Sequence, residues 1–173
     1  QIHDHVLQLE HASTTLFPEL ASAGIGGRLS ARRASLTDRV AEVAAMVNST
    51  DGAWVVWCGL NDESDAITAA VEGAVNVEGS DAYDDKRRAV EDFVAGRVRV
   101  IVSKPRILGF GLNLQHCHQM AFVGMSDSYE AYYQCLRRCW SFGQKYPVDA
   151  HIVVSEAEAI VVENVRRKQA AAR

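Results

Sequence analysis

The helix predicted over residues 128–139 carries two side chains suited to binding a phosphoryl oxygen. Gln134 and Arg138 are four residues apart, so they lie one above the other on the same helical face. A guanidinium is permanently charged and presents a planar fork of N–H donors to an anion. Arg137 points about 100° away around the helix axis, so only one arginine can share a ligand squarely with Gln134. The spacing therefore favours phosphate binding on this helix.

A second segment, residues 103–114, directly follows a predicted strand. Its glycines let the backbone approach a ligand closely, and its basic residues bring positive charge. The alternative is a glycine-containing turn that only packs against its neighbours. The residues that carry the functional interpretation are Ser103, Lys104, Arg106, Gly109, Gly111 and Asn113.

Both segments need a scaffold, and the chain alternates between apolar strands and amphipathic helices. Strands are predicted over 53–58, 74–77, 97–102, 120–123 and 150–154, and helices over 36–47, 62–72, 84–95, 128–139 and 156–170. This alternation predicts an α/β fold, a three-layer parallel sheet with helices on both faces. Ligands bind beyond the carboxyl ends of such strands, so function is expected in the loops after Cys58, Val102, Val123 and Val154.

The first 34 residues follow a different pattern. A helix from His3 to Leu20, interrupted near Pro18, is followed by a glycine-rich break and an exposed basic connector at 28–33. We therefore divide the chain into a linker or helical segment, 1–34, and one α/β domain, 35–173. Ser35–Asp38 resembles a capping box at the start of the domain's first helix. The start at Gln1 rather than Met predicts a piece of a longer chain.

Several classes of site are excluded by their missing motifs. The sequence contains no Walker A phosphate loop, no complete dinucleotide-binding fingerprint and no serine nucleophile elbow. The acidic run 62–65 spells D-E-S-D, as in ATPase metal sites, but no phosphate loop precedes it. The helix dipole favours such acids in a first turn, which suffices to explain them. No resident metal is therefore expected in this chain.

The four cysteines suit a buried core better than a zinc site. Cys135 and Cys139 share a helical face, and Cys117 stands between two histidines, so zinc is conceivable. Their spacing is not that of a C-x-x-C knuckle, and apolar burial of these cysteines, with Cys58, is favoured.

Charge is unevenly distributed along the chain. The net charge is −4, but residues 97–145 contain seven basic and only two acidic side chains. A polyanion responds to this local field rather than to the net charge. No apolar run is long enough to cross a membrane, and no signal sequence is present, which together predict a cytoplasmic protein.

Taken together, these motifs resemble the second RecA-like lobe of superfamily 2 helicases, above all the Swi/Snf-type translocases and related bacteriophage and prophage helicases. Residues 54–59 resemble the family's fourth motif, and the G-F-G-L-N-L run of 109–114 resembles its fifth. The sixth motif, Q-x-x-x-R-x-x-R-x-G-Q, is matched from Gln134 to Gln144 with one departure. The resemblance covers roughly residues 35–166.

This resemblance implies an ATP-driven DNA motor whose nucleotide binds between two lobes. The first lobe, in the same protein, would supply the phosphate loop and the Mg²⁺ ligands, and no membrane is involved. Nucleotide contacts are implied for Gln134, Gly109, Gly111 and Asn113, and contacts with the nucleic-acid backbone for Ser103, Lys104 and Arg106. Arg138 would stabilise charge on the transferring phosphate. If phage-encoded, the protein would work in the bacterial host's cytoplasm.

The departure lies at Ser141, where the family has a second arginine. Serine cannot supply that charge, and Arg137 is the candidate replacement, subject to the helix geometry. The 173-residue chain alone is expected to hydrolyse no ATP. Two alternatives remain open: a degenerate lobe that acts as a binding or scaffold module, and a cofactor-binding α/β enzyme, for which no fingerprint is present.

Overall fold

A computed structural model of the chain describes residues 1–8, 29–30, 32–108, 112–126 and 128–171. Six strands form one sheet in the order β1-β6-β5-β2-β4-β3, and every neighbouring pair is parallel. The strands are β1 (Ile2–Leu7), β2 (Trp54–Cys58), β3 (Ala74–Val77), β4 (Val100–Ser103), β5 (Gln119–Val123) and β6 (Asp149–Ser155). Because all strands run the same way, their carboxyl ends meet at one edge of the sheet.

Helices cover both faces of this sheet. The helices are α1 (Leu36–Asn48), α2 (Asn61–Ala70), α3 (Tyr83–Val94), α4 (Pro105–Leu108), α5 (Tyr129–Cys139) and α6 (Ala159–Ala171), with a 3₁₀ turn at Glu156–Glu158. Buried side chains of α1 and α2 pack on one face, and those of α3, α5 and α6 pack on the other. The predicted three-layer α/β architecture is therefore confirmed.

The central strand β2 shows why the sequence folds this way. All five of its residues are buried, and successive side chains enter opposite cores. Val55 and Trp57 pack with α5 and α6, whereas Val56 and Cys58 pack with α1 and α2. A strand covered on both faces must be apolar at every position, which explains the continuous apolar run.

The predicted helix at the N-terminus is wrong over the described part of its range. Residues Ile2–Leu7 form the edge strand β1, which pairs with β6 and shares one sheet with the α/β domain. Exposure alternates along β1, as expected for an edge strand, but its polar residues hide the strand signal. The break near Pro18 and the glycine run 24–27 lie outside the described residues.

Three local predictions also need correction. The Ser35 hydroxyl makes no cap bond to α1 and instead accepts a hydrogen bond from Arg39 Nε at 3.0 Å. The helix predicted over 62–72 instead begins at Asn61 and ends at Ala70. The strand predicted from Arg97 begins only at Val100, because the preceding residues complete the turn after α3. Ser128 caps α5 by accepting a hydrogen bond from the Ala131 N–H, at the position where this helix was predicted to begin.

The four cysteines match the prediction of apolar burial. Cys58, Cys117, Cys135 and Cys139 are all buried and free. Burial raises the pKa of the Cys58 and Cys135 thiols, so these thiols stay protonated and unreactive. Within the described ranges, no helix has the length and apolar character required to cross a bilayer.

Candidate functional site

A cavity of about 780 Å³ opens at the carboxyl-end edge of the sheet. The ends of four neighbouring strands contribute to it, because these strands run parallel and finish at the same edge. The residues that line it after β2, β3, β4 and β5 include Gly59, Asn61, Glu78, Gly79, Ser80, Lys104, Arg106 and Ser126. Three of the predicted functional loops thus meet here, and the loop after β3, which was not predicted, completes the wall.

The three residues predicted to contact the nucleic-acid backbone have different environments at this edge. Lys104 contacts the Asn61 side chain across the cavity, and Arg106 is exposed at its rim. Ser103, in contrast, is buried, and its hydroxyl donates to the Val77 carbonyl at 2.7 Å. The Ser103 hydroxyl therefore already donates within the β3–β4 pair. Of the three predicted residues, Lys104 and Arg106 are the ones that can present a cationic group to a ligand.

A second site lies where the segment after α4 meets the end of α5. Arg138 Nη1 donates to the Leu112 carbonyl at 2.9 Å, and the Leu114 N–H donates to the Arg138 carbonyl at 2.8 Å. Next to them, Ser141 Oγ donates to Asn113 Oδ1 at 2.7 Å. The two segments that carried the motifs are therefore bonded directly to each other.

Gln134 and Arg138 pair on one face of α5, as their spacing predicts. Arg138 Nη2 donates to Gln134 Oε1 at 3.2 Å, and Arg138 Nε donates to the Gln134 carbonyl at 3.1 Å. Arg137 lies on another face, where its Nη1 donates to the Tyr133 hydroxyl and its guanidinium lies 5.8 Å from that ring's centroid. The helix thus gives Gln134 one arginine partner, not two.

This arrangement leaves donors for an anion. A guanidinium has five N–H groups, and three of those on Arg138 have acceptors within the described part of the chain. The remaining two, one on each Nη, and the Gln134 amide N–H groups fit phosphoryl oxygens. The donor set suits the phosphates of a nucleotide. In the described ranges, no group of three or more His, Cys, Asp or Glu side chains is arranged to hold a metal ion.

A tight loop follows α5 and closes this second site. Gly143 has a φ of +96°, a conformation that glycine adopts without strain, and a Cβ there would lie 2.7 Å from Gln115 Oε1. Gln144 Nε2 donates to the Cys117 and Cys139 carbonyls, which ties the loop to the core. Gly109 and Gly111, predicted to contact the nucleotide, lie outside the described residues.

A cluster of buried charges lies beneath the large cavity. Arg32 forms a two-point ion pair with Glu63, at 2.6 Å and 2.7 Å, and Arg39 Nη1 donates to Glu63 Oε1 at 2.9 Å. Glu158 lies within 3.7 Å of both guanidinium groups, and its Oε1 accepts no hydrogen bond within the described part of the chain. Two buried carboxylates thus balance two buried guanidinium groups.

The pKa of Glu63 follows from these neighbours. Burial alone would raise it, but the hydrogen bond and charge of Arg32, together with the charge of Arg39, lower it below its usual value. Burial works in the opposite sense on Arg32, where Glu63 outweighs it and raises the guanidinium pKa. Both partners of this ion pair, Arg32 and Glu63, are therefore charged at neutral pH.

The cluster was not predicted, and the exposed connector predicted at 28–33 is wrong at Arg32, whose side chain is only 11% exposed. A first helical turn explains the acidic run 62–65, and Glu63 does lie in that turn. The neighbouring sequence, however, gives no sign that the Glu63 side chain is buried. A sequence signal did exist at Gly59, because glycine directly after a buried strand indicates a close approach by another group.

The sequence of this chain matches a known protein family. Residues 39–143, more than half of the chain, match the family described as the helicase conserved C-terminal domain. A search of curated proteins gives no match.

Solved structures share the fold at low sequence identity. The C-terminal part of the Fun30 ATPase domain matches with a TM-score of 0.66 at 12% identity, over 73% of this chain and 44% of that one. A DEAD box protein from Methanococcus jannaschii matches with a TM-score of 0.65 at 10% identity, over 76% of this chain and 37% of that one. The C-terminal domain of the DEAD-box protein Dbp5 gives 0.63 at 13% identity, over 76% and 78%. This chain therefore spans less than half of the first two.

Proposed function

Because this chain belongs to the helicase conserved C-terminal domain family and has the α/β fold of a superfamily 2 C-terminal lobe, we propose that it is the second motor lobe of an ATP-dependent DNA helicase or translocase. In this proposal ATP, with Mg²⁺ held by the first lobe, binds between the two lobes. The residues that face it are Gln134 and Arg138, with Asn113 beside them. The choice of DNA, the Swi/Snf-like type and the phage origin rest on the motif resemblance, and the cytoplasmic location remains a prediction.

The observation that carries the proposal is the direct bonding between residues 112–114 and the end of α5. Arg138 donates to the Leu112 carbonyl, and Ser141 donates to Asn113. The same segment begins at Lys104 and Arg106, on the large cavity. A phosphate bound by the two Arg138 N–H groups that have no acceptor in the described part of the chain would therefore lie against a segment whose earlier residues carry the cations proposed to bind DNA. Binding at one end thereby biases the conformation at the other.

The DNA contacts proposed here are contacts with the phosphodiester backbone. Lys104 and Arg106 offer cationic groups at the cavity, and such contacts carry no base information. Binding should therefore be independent of sequence and sensitive to salt. A scaffold or DNA-binding module without ATPase activity is the second candidate. It is favoured by one observation: the Ser141 hydroxyl, at the family's arginine position, is already bound to Asn113.

The substitution Ser141→Arg tests the motor against the scaffold. It is to be made in the protein that joins this lobe to its first lobe, with DNA-stimulated ATP hydrolysis as the readout. Cleft arginines are worth about 10³–10⁵ in rate in related phosphoryl-transfer enzymes, so a large gain would identify a motor weakened at this position. Robust activity in the unsubstituted protein that the change leaves unaltered would mean that another arginine serves, and Arg137→Ala should then abolish it.

The matched control is Arg88→Ala, because Arg88 is an exposed arginine of α3 that pairs with Asp85 and lies outside the basic stretch 97–145. Its ATPase rate should equal that of the unsubstituted protein. An absence of hydrolysis in both the unsubstituted and Ser141→Arg proteins, with DNA binding retained, would reject the motor and favour the scaffold.

A further inference from the structure

Strands β2 and β5 pair as far as Cys58 and Val123, and one largely buried side chain, Arg32, links the chain at the end of this pair. Its Nε and Nη2 bind the two oxygens of Glu63, and Nη2 also donates to the Val123 carbonyl at 3.1 Å. Glu63 Oε2 in turn accepts from the Gly59 N–H at 2.8 Å and the Leu60 N–H at 3.0 Å. Arg32 therefore connects the last residue of β5 to the first residues after β2.

Two glycines make room for this guanidinium. A Cβ at Gly59 would lie 2.6 Å from Arg32 Nη2, and a Cβ at Gly124 would lie 2.7 Å from Arg32 Nε. Gly124 also has a φ of +83°, which favours glycine for its own sake, but the φ of Gly59 is not positive. At Gly59, the close approach of Arg32 is thus the feature that requires glycine.

Arg32 also belongs to the wall of the proposed DNA-facing cavity. It lines the cavity of about 780 Å³ and a smaller one of about 30 Å³ beside Trp57. Arg39, the other guanidinium on Glu63, is fully buried and lines neither of them. The hydrogen bonds of Arg32 go to protein acceptors, so its place in the wall indicates that it shapes the cavity rather than binds its ligand.

We propose that Arg32 is the positioning residue of the DNA-facing edge, which fixes the segments that follow β2 and β5 and thereby the spacing of the groups around the cavity. The inference rests on the function proposed above. Backbone phosphates repeat at a fixed spacing, so cavity groups bind them best when their own spacing is fixed. Only a planar fork can bind both Glu63 oxygens and the Val123 carbonyl together, so lysine cannot replace arginine here.

A double-mutant cycle on the full 173-residue chain tests the proposal. The variants are Arg32→Lys, Gly59→Ala and the double variant, and the probe is a fluorescent oligo-dT whose affinity is read by anisotropy at low salt. Each single change should weaken binding about tenfold, and the double variant should bind no worse than either single one. Gly59→Ala acts by displacing the guanidinium, so it should add nothing once the fork is gone.

Arg39→Lys is the matched control, because it removes the neighbouring buried fork from the same carboxylate. It should lower thermal stability at least as much as Arg32→Lys while its affinity for oligo-dT stays within about twofold of the unsubstituted chain. A second measurement, hydrogen–deuterium exchange, should show faster exchange at residues 58–61 and 123–126 in Arg32→Lys and Gly59→Ala but not in Arg39→Lys.

Each failure has its own signature. If the unsubstituted chain does not bind oligo-dT, the proposed function fails, and the exchange data alone decide whether Arg32 positions the segments that follow β2 and β5. If it binds and Arg32→Lys binds equally well, the positioning role is wrong. The role is also wrong if Arg32→Lys and Arg39→Lys lose affinity in proportion to their loss of stability, or if the Arg32 and Gly59 effects simply add.

Discussion

Ser141 Oγ donates a hydrogen bond of 2.7 Å to Asn113 Oδ1, which joins the two motifs across the end of α5. Asn113 Oδ1 also accepts from the Gln115 N–H, and Asn113 Nδ2 donates to Gln115 Oε1 at 3.2 Å. A serine at this position therefore has a structural partner even though it cannot stabilise a phosphate's charge. Gln115, which is bonded to Asn113, also lies beside the tight loop at Gly143.

Gly143→Ala should strain the loop and disturb Gln115. The left-handed backbone at Gly143 costs alanine about 1–2 kcal/mol, and the new Cβ would collide with the Gln115 side chain. Gly96→Ala is the control, because Gly96 has a φ of +75° but no atom lies within 4 Å of the point where its Cβ would stand. Urea unfolding should therefore show a larger loss for Gly143→Ala, and Gln115→Ala should remove the excess. Equal losses for the two glycine variants would contradict the collision.

Binding to DNA should weaken steeply with salt, and by a predictable amount for each cavity cation. Each phosphate contact contributes about 0.7–0.9 to the slope of log affinity against log salt concentration. Lys104→Ala and Arg106→Ala should each reduce that slope by nearly one while leaving the preference among base sequences unchanged. Arg88→Ala, which removes an exposed arginine of α3 paired with Asp85, should leave the slope as it is. A salt-independent affinity would contradict backbone binding.

The 173-residue chain should not hydrolyse ATP by itself. Its sequence has no phosphate loop to cradle the γ-phosphate, and the described residues contain no group of three or more His, Cys, Asp or Glu side chains arranged to hold a metal ion that would neutralise it. Phosphate release from the purified chain, with and without DNA, should equal the buffer background. Turnover that survives further purification and falls in Arg138→Ala would show that one lobe suffices.

Glu63→Gln should strongly destabilise the chain at neutral pH. The free energy of unfolding of this variant should also change less as the pH falls. Removing one buried charge leaves Arg32 and Arg39 short of a counter-ion, at a cost of about 3–5 kcal/mol. The folded pKa of Glu63 is lowered, so its stabilisation is present above the unfolded value of about 4.3 and is lost as pH falls through the folded value.

Urea titrations at several pH values between 3 and 7 measure both effects. The control is Glu91→Gln, because Glu91 is exposed and its ion pair with Arg87 spans 3.6 Å at the surface of α3. That variant should stay within about 0.5 kcal/mol of the unsubstituted chain. If the free energy of unfolding of Glu63→Gln falls as steeply with decreasing pH as that of the unsubstituted chain, the cluster does not govern acid unfolding.

The α/β fold could be predicted because the residue pattern within each central strand or helix indicates its secondary structure. The apolar run of β2 and the helical spacing of Leu36, Val40, Val43 and Val47 depend only on which faces are covered. The edge strand β1 could not be predicted in the same way. Its stability comes from a ladder with β6, almost 150 residues away, and local sequence carries no trace of that pairing.

The site likewise contains contacts that could be predicted from local sequence and contacts that could not. The Gln134–Arg138 pair follows from spacing within one helix, and so it was predictable. The bond from Ser141 to Asn113 and the ion pair from Arg32 to Glu63 join residues 28 and 31 positions apart, which only the closed fold brings together. Ser103 shows the converse: its position after a strand suggested a ligand contact, but register with β3 turned its hydroxyl inward.

His151 should make the β1–β6 edge sensitive to mild acid. It stacks on His3 at 4.7 Å, and its Nδ1 lies 3.1 Å from His5 Nε2, so protons added here meet like charges. Burial lowers the pKa of His151, and the charges of His3 and His5 lower it further, although Asp149 opposes them. Stability from the neutral ring is therefore complete above the unfolded value of about 6.5 and is lost as pH falls through the lower folded value.

The charged neighbours of this cluster set the limits of the effect. Asp149 lies 3.0 Å from His3, and Glu42 on α1 lies 3.5 Å from His5, so these two carboxylates contact the outer two rings of the cluster. His151→Asn should thus unfold at a urea concentration that changes less between pH 7.5 and 5.5 than that of the unsubstituted chain. His118→Gln, outside the cluster, should keep the original pH dependence. If His151→Asn keeps it as well, the acid sensitivity of this edge arises elsewhere.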